Sequence, residues 1–142
     1  MQNLATIFSL IVLSVFQAMY SQSEEQNTIT VTITNFDTNQ GNAVIGLYNS
    51  EGDFLVKSYK SIHTNITNHS CKVVFENIPD GVYAISMFHD ENDNKILDKG
   101  SWGIPKEDYG CSNNAKGFMG PPKWKDAKFE VKGKSINQHI KL

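Results

Sequence analysis

The chain has 142 residues, of which 39% are hydrophobic and 20% are charged, with 13 basic and 15 acidic side chains. The formal net charge of −2 gives no electrostatic reason to expect nucleic acid or an anionic membrane as a partner. The length is that of one ordinary globular domain.

The N-terminal segment, residues 1–21, contains no charged side chain. Its apolar run at 4–15 is followed by small residues at Ala18 and Ser21. This arrangement predicts a signal peptide covering 1–21, although no Lys or Arg precedes the run. A retained membrane anchor is the alternative, but about 20 apolar residues are normally needed to span a bilayer. We expect an exported protein (periplasmic, cell-surface or secreted) whose mature domain, 22–142, does not insert into a membrane.

Strand patterns dominate the mature chain. Residues 28–34 alternate β-branched apolar residues with threonines, which predicts a half-buried strand. Further strands are predicted at 43–48, 54–59, 71–75, 82–89, 127–131 and 136–142. The turn residues at 49–52 and 79–81 predict two hairpins. Seven short strands without a helical period predict an all-β fold, a single antiparallel β-sandwich.

Residues 99–124, which we call the excursion, have no periodicity and are rich in Gly and Pro. A structureless connection of this length is uncommon inside a compact domain. The excursion is too apolar for a solvated linker, since it contains Trp102, Ile104, Tyr109, Phe118, Met119 and Trp124. We therefore predict an ordered, Ω-like loop whose aromatic residues form a small core against the sandwich. The alternative is an aromatic platform for a sugar or peptide ligand.

The segment HDENDNKILD, at 89–98, suggests a specific chemistry. Asp90, Asn92, Asn94 and Asp98 occupy the first, third, fifth and ninth positions of a loop that follows a predicted strand. Ca²⁺ takes six to eight oxygen ligands, and a tight loop with alternate oxygen side chains can supply most of them. The spacing is similar to that of an EF-hand loop, in which the backbone carbonyl of Ile96 would be the seventh-position ligand.

Two positions depart from that pattern. Lys95 replaces the turn glycine, and Ser101 stands where the closing glutamate belongs. Glu107 or Asp108 could complete the ligand set. The alternative is an ordinary turn, because Asp and Asn side chains bond their own backbone.

Cys71 and Cys111 permit one disulfide in an exported protein, and two separate buried thiols are the alternative. His89 lies at a predicted strand end beside carboxylates, where it could act as a general base or a transition-metal ligand. The favoured alternative is a half-exposed residue at the strand end with neither role. No nucleophile motif accompanies it, so we predict no enzyme and assign no catalytic residue.

The run GVYAISMFHDENDNKILDKGSWGIPKEDYGCSNNAKGFMGPPKWKDAKFEV contains a G-x-Y-A strand, an H-D-x-N-x-N loop, a G-I-P-x-E-x-Y-G segment, S-N-N-A and G-P-P. It resembles the core of a bacterial family of small exported proteins, domain of unknown function 2141. The resemblance implies an exported β-sandwich, immunoglobulin-like or transthyretin-like in outline, and implies no established activity. Cys111 stands where the family commonly has an aromatic residue, which fits a disulfide private to this protein.

Together these observations predict a binding or surface-interaction module with an unidentified protein or glycan partner at the cell envelope. In this hypothesis, Ca²⁺ in the 90–98 loop fixes the start of the excursion. A purely structural accessory domain without metal is the first alternative. A hydrolase that uses His89 and nearby carboxylates is a distant second.

Overall fold

The computed structural model describes residues 26–142, so the predicted signal peptide lies outside the described residues. Within 26–142, no helix has the length and apolar character needed to cross a bilayer. The strands are β1 (Asn27–Thr34), β2 (Asn42–Tyr48), β3 (Lys60–Asn65), β4 (Ser70–Ile78), β5 (Gly81–Asp90), β6 (Tyr109–Cys111), β7 (Phe129–Val131) and β8 (Ile136–Lys141). One short α-helix, α1 (Trp124–Ala127), precedes β7, and two 3₁₀ helices lie at Ser101–Gly103 and Ser112–Asn114.

The strands form two sheets. The first has three strands in the order β4-β1-β8, and the second has five, with β3-β2-β5-β6 in sequence and β7 paired to the start of β5. All pairs are antiparallel except β1 with β8, which run parallel. The predicted all-β sandwich is therefore confirmed, with this one parallel pair added.

The main core lies between the sheets. Ile29, Val31 and Ile33 on alternate positions of β1 are fully buried, while the threonines between them are partly exposed. They pack in one cluster with apolar residues of the second sheet such as Ile45 and Ile85. Removal of this apolar area from water is the main favourable term in folding. The period-two alternation of 28–34 thus identified the inward face.

The predicted strand at 54–59 is wrong. The chain there forms a tight turn in which the backbone N–H groups of Val56 and Lys57 both donate to the carbonyl of Asp53 at 2.9 Å. The ring of Phe54 is buried, but Val56 is 82% exposed, so the apparent alternation does not define one buried face. The hairpin partner of β2 is instead β3, which follows the turn.

The predicted hairpin around 79–81 is also wrong. β4 pairs with β1 in the first sheet and β5 pairs with β2 in the second, so this turn carries the chain between the sheets. Asn27 stabilises the crossing, because its Nδ2 donates to the carbonyl of Ile78 at 3.3 Å and to Asp80 Oδ1 at 2.9 Å. Side-chain hydrogen bonds from β1 therefore hold the end of β4 in the first sheet.

Candidate functional site

The excursion is attached to the second sheet by a short strand that its sequence did not predict. β6 pairs with β5, with Cys111 opposite Ser86 and Tyr109 opposite Phe88. The excursion is therefore ordered, as expected, and it leaves the sheet on both sides of β6.

Ser112, directly after β6, is a second point of attachment. It is fully buried, its Oγ accepts a hydrogen bond from the N–H of Ile85 at 2.9 Å, and it donates to the carbonyl of Ala127. Ser112 thus joins β5, the excursion and the end of α1. Sequence reasoning missed this residue, and the S-N-N-A motif was the only signal that could have marked it.

The two asparagines of that motif fix the excursion to the α1 region and to the C-terminal strand. Asn113 Nδ2 donates to the carbonyls of Asp126 and Lys128, and Asn114 Oδ1 accepts from the N–H of Lys141 at 2.8 Å. Both asparagines have positive φ values, 59° and 50°, a conformation that Asn tolerates better than most residues. The motif is therefore structural.

The aromatic residues of the excursion divide into two groups. Trp124 is half-buried against Phe54, with ring centroids 5.7 Å apart, and belongs to a second small core with Ala127 and Cys111. For Trp102 and Phe118 the prediction of a core beneath the loop is wrong, because they are 97% and 92% exposed. Tyr109, Ile104 and Met119 are also exposed, Met119 by 94%.

The 90–98 loop is built around the carboxylate of Asp90, which is fully buried. Its Oδ1 accepts from the N–H of Asn94 at 3.0 Å, and its Oδ2 accepts from the N–H of Lys95 at 2.8 Å. Lys95 adopts φ +64°, the conformation that glycine supplies in loops of this type. Replacement of the expected glycine has therefore not prevented the turn.

The structure brings the other predicted ligands to the same loop. Asp98 accepts from the Nδ2 of Asn92 at 2.7 Å and from the Nδ2 of Asn94 at 2.9 Å. Glu107 closes the loop, because its two oxygens accept from the backbone N–H groups of Glu91 and Asp98.

Two other predicted participants make different contacts. Ile96 donates its backbone N–H to Asn94 Oδ1 at 2.9 Å, and the residue is 65% exposed. The backbone carbonyl of Asp108 accepts a hydrogen bond from the N–H of His89. Within residues 26–142, no group of three or more His, Cys, Asp or Glu side chains is arranged to hold a metal ion. In the observed geometry the carboxylate oxygens of the 90–98 loop accept hydrogen bonds from N–H groups.

His89 is fully buried between the loop at 36–41 and the end of β5. Its Nε2 is 2.7 Å from the carbonyl oxygen of Gln40, and a carbonyl can only accept, so Nε2 carries a proton. Its Nδ1 has no hydrogen-bond partner among the described residues and lies 3.7 Å from Glu91 Oε1. The ring also meets Phe36 edge to face. The His89 side chain is thus enclosed by the protein in this geometry.

The predicted disulfide is not formed. In the described part of the chain, Cys71 and Cys111 are both free and both buried. Cys71 packs in the core between the sheets, whereas Cys111 belongs to the separate cluster around Trp124. Burial raises the pKa of each thiol to about 11.

Comparison with known protein families assigns the chain to a family. A family model described as an uncharacterized protein conserved in bacteria (DUF2141) matches residues 31–139. The chain belongs to the DUF2141 family. The matched part of this DUF2141 domain runs from β1 into β8 and so includes the 90–98 loop and the whole excursion. No curated protein and no solved structure matches the chain.

The DUF2141 domain thus combines a rigid frame with an exposed surface. The excursion is held at β6, Ser112 and Trp124, yet it directs two large apolar side chains, Trp102 and Phe118, into solvent. Such an arrangement can bind an apolar surface without first having to order the loop.

Proposed function

We propose that this DUF2141 domain is a binding module at the cell envelope that contacts its partner through the excursion. The observation that supports the proposal is the exposure of Trp102, Met119 and Phe118, at 97%, 94% and 92% of their surfaces. Large exposed apolar patches are a feature of interaction sites, and these three side chains lie on one segment of the chain. Loops held by a rigid scaffold are a common location for binding residues.

The attachments of the excursion support this interpretation over a linker. The strand pair β5–β6, the buried hydroxyl of Ser112 and the Trp124–Phe54 contact restrict the segment at several points. Binding by a segment that is already ordered loses less conformational entropy than binding by a flexible one. The export that the proposal requires rests on the sequence of residues 1–21.

A Ca²⁺-stabilised 90–98 loop is a second element of the proposal, and one specific observation favours it. Asp90, Asn92, Asn94, Asp98 and Glu107, five oxygen-bearing side chains, lie within one hydrogen-bonded cluster. Each carboxylate oxygen retains a lone pair after accepting one N–H. Coordination by Asp98 requires the amides of Asn92 and Asn94 to turn their oxygens inward. The alternative, a loop closed by hydrogen bonds alone, is the arrangement described above.

The binding proposal is tested with the exported protein purified from its host and with isolated cell envelopes. Co-sedimentation should carry the wild-type protein into the pellet, and the triple variant Trp102→Ser, Phe118→Ser, Met119→Ser should remain in the supernatant. A matched control replaces Val56 and Val82 by Ser, since both are exposed and lie outside the excursion. The proposal fails if the wild-type protein does not sediment, or if the triple variant sediments as well as the control.

A further inference from the structure

Two turns of the excursion share an eight-residue pattern, Lys-Gly-x-apolar-Gly-x-Pro-Lys, at 99–106 and 116–123. The fourth residue is Trp102 in the first and Met119 in the second, and both have positive φ values, 66° and 54°. Both side chains are at least 94% exposed. The same sequence device therefore places an apolar side chain outward on each of two turns.

The glycines make these turns tight. A Cβ added at Gly117 would collide with the backbone of Gly120, so the chain closes on itself around Phe118 and Met119. In the first turn, the N–H of Gly100 donates to the carbonyl of Ile104 at 2.7 Å. Each apolar apex is thus convex, and the flanking lysines are all exposed, namely Lys99, Lys106, Lys116 and Lys123.

The surroundings of the two turns differ in charge. Residues 109–125 contain Lys116, Lys123 and Lys125 and no acidic residue, although the whole chain has a formal charge of −2. The first turn is bordered by Asp98, Glu107 and Asp108, which offset its two lysines. Within two residues of either end, the second turn has one lysine and no acidic residue, whereas the first has three acidic residues; Asp126 lies one position further on.

From this combination we infer that the 116–123 turn docks on the surface of an anionic phospholipid bilayer. Phe118 and Met119 enter the interfacial region, and Lys116, Lys123 and Lys125 face the lipid phosphates. The inference rests on the proposed function and names the partner of the same surface. It concerns shallow interfacial contact, not a membrane span.

The shape and charge of the turn favour a bilayer over a protein partner. A stable protein interface buries about 800 Å² on each partner, far more than one turn with two apolar side chains can offer. A bilayer receives a convex apolar apex without a matching pocket, and basic residues beside apolar ones are attracted to anionic lipids. Pro122 is buried and Trp124 is half-buried, so the base of the turn stays on the protein while its apex is free.

The test is flotation of the exported protein with vesicles of phosphatidylcholine alone or mixed with phosphatidylglycerol. We expect binding only to the mixed vesicles, released by salt because the lysines contribute electrostatically. Phe118→Ser with Met119→Ser should weaken binding about tenfold or more, and Lys116→Gln with Lys123→Gln should do the same. The matched control, Val56→Ser with Val82→Ser, removes exposed apolar side chains outside the excursion and should leave binding unchanged.

Fluorescence gives an independent reading of depth. In the double variant Trp102→Phe, Phe118→Trp, the new indole should emit at shorter wavelength when mixed vesicles are added, since it leaves water. In the variant Phe118→Ser the remaining indoles should show no shift.

The inference is overturned if the wild-type protein does not float with mixed vesicles, or if the apex variants float as well as the wild type. Failure with vesicles while cell envelopes still bind through the excursion would leave the binding module in place and assign the turn to a protein or glycan. Failure in both assays would remove the proposed function as well.

Discussion

Trp124 meets Phe54 edge to face, with ring centroids 5.7 Å apart and ring planes inclined by 67°. Phe54 meets Tyr48 in the same way, at 5.4 Å. The contact joins the end of the excursion to the turn that follows β2, two segments separated by most of the domain's sequence. An exposed binding surface is thus supported by a small aromatic stack beneath its base.

Trp124→Ala should therefore destabilise the domain by about 2–3 kcal/mol, less than for a fully buried aromatic because Trp124 is half-buried. Urea unfolding measures the change. The matched control is Trp102→Ala, which removes the same side chain where it is 97% exposed and should alter stability by no more than about 0.5 kcal/mol. Equal effects of the two substitutions would contradict the described packing.

Asp90→Ala should cost about 2–4 kcal/mol, because it leaves the N–H groups of Asn94 and Lys95 without their buried acceptor. Asp90→Asn keeps the shape and one acceptor oxygen, so its effect should be smaller. As a control, Asp93→Ala removes an exposed carboxylate that accepts one amide hydrogen from Asn42. If Asp93→Ala destabilised the protein as much as Asp90→Ala, the central role assigned to Asp90 in the loop would be wrong.

Addition of Ca²⁺ after EDTA treatment should raise the Tm of the wild-type protein. For a Kd near 10⁻⁴ M, typical of weak extracellular sites, ten millimolar Ca²⁺ would stabilise the native state by about 2.7 kcal/mol. Asp98→Asn should abolish the increase, and it is preferable to Asp90→Ala because Asp98 is not fully buried. An unchanged Tm up to ten millimolar would leave the loop closed by hydrogen bonds alone.

Ser112→Ala should lower the free energy of unfolding by about 1–3 kcal/mol, because the buried N–H of Ile85 loses its acceptor. Thermal or urea unfolding gives the value. Ser135→Ala is the comparison, since its hydroxyl bonds to Thr28 at an exposed position. The role assigned to Ser112 requires that Ser112→Ala lower the free energy of unfolding clearly more than Ser135→Ala.

The buried thiols predict a loss of stability at alkaline pH. Burial raises the pKa of Cys71 and Cys111 to about 11, whereas thiols of the unfolded chain ionise near 8.5. Between these values the unfolded state binds fewer protons, so stability is complete below about pH 8.5 and falls as pH rises toward 11. Burial also raises the pKa of Tyr48 and Tyr83, which adds to the same fall.

Urea titrations at increasing pH measure this slope, and Cys111→Ala should flatten it relative to wild type. Labelling with a thiol reagent provides a separate check on the free state of both cysteines. Neither thiol should react in the native protein, and both should react after unfolding without reductant. A protein that releases no thiol on unfolding would instead contain the disulfide that the structure lacks.

Local sequence patterns predicted local structure well. The alternation at 28–34 identified the inward face of β1, and the spacing from Asp90 to Asp98 identified a closed loop, because both depend on neighbours within a few residues. Which strands pair with each other could not be predicted from these local patterns. The 79–81 turn has hairpin composition, but pairing of β4 with β1 through distant contacts decides its course.

Which aromatic residues of the excursion are buried could not be predicted from local sequence either. Trp102 and Trp124 have identical side chains in similar Gly/Pro-rich surroundings, yet one is exposed and the other packs on Phe54. The difference depends on where the chain is attached, at β6 and Ser112, and neither attachment has a periodic signal. Ser112 contributes a single hydroxyl, and its stabilising effect depends on the backbone N–H of Ile85, which is distant in sequence.

The parallel alignment of β1 and β8 has a mechanical consequence. Six register pairs, from Ile29 with Ile136 to Thr34 with Lys141, join the two strands side by side. Because the strands point the same way, the start of β1 and the end of β8 lie at opposite ends of this ladder. Tension applied between them would shear all of its hydrogen bonds at once instead of opening them one by one. We therefore expect the domain to resist extension along these strands.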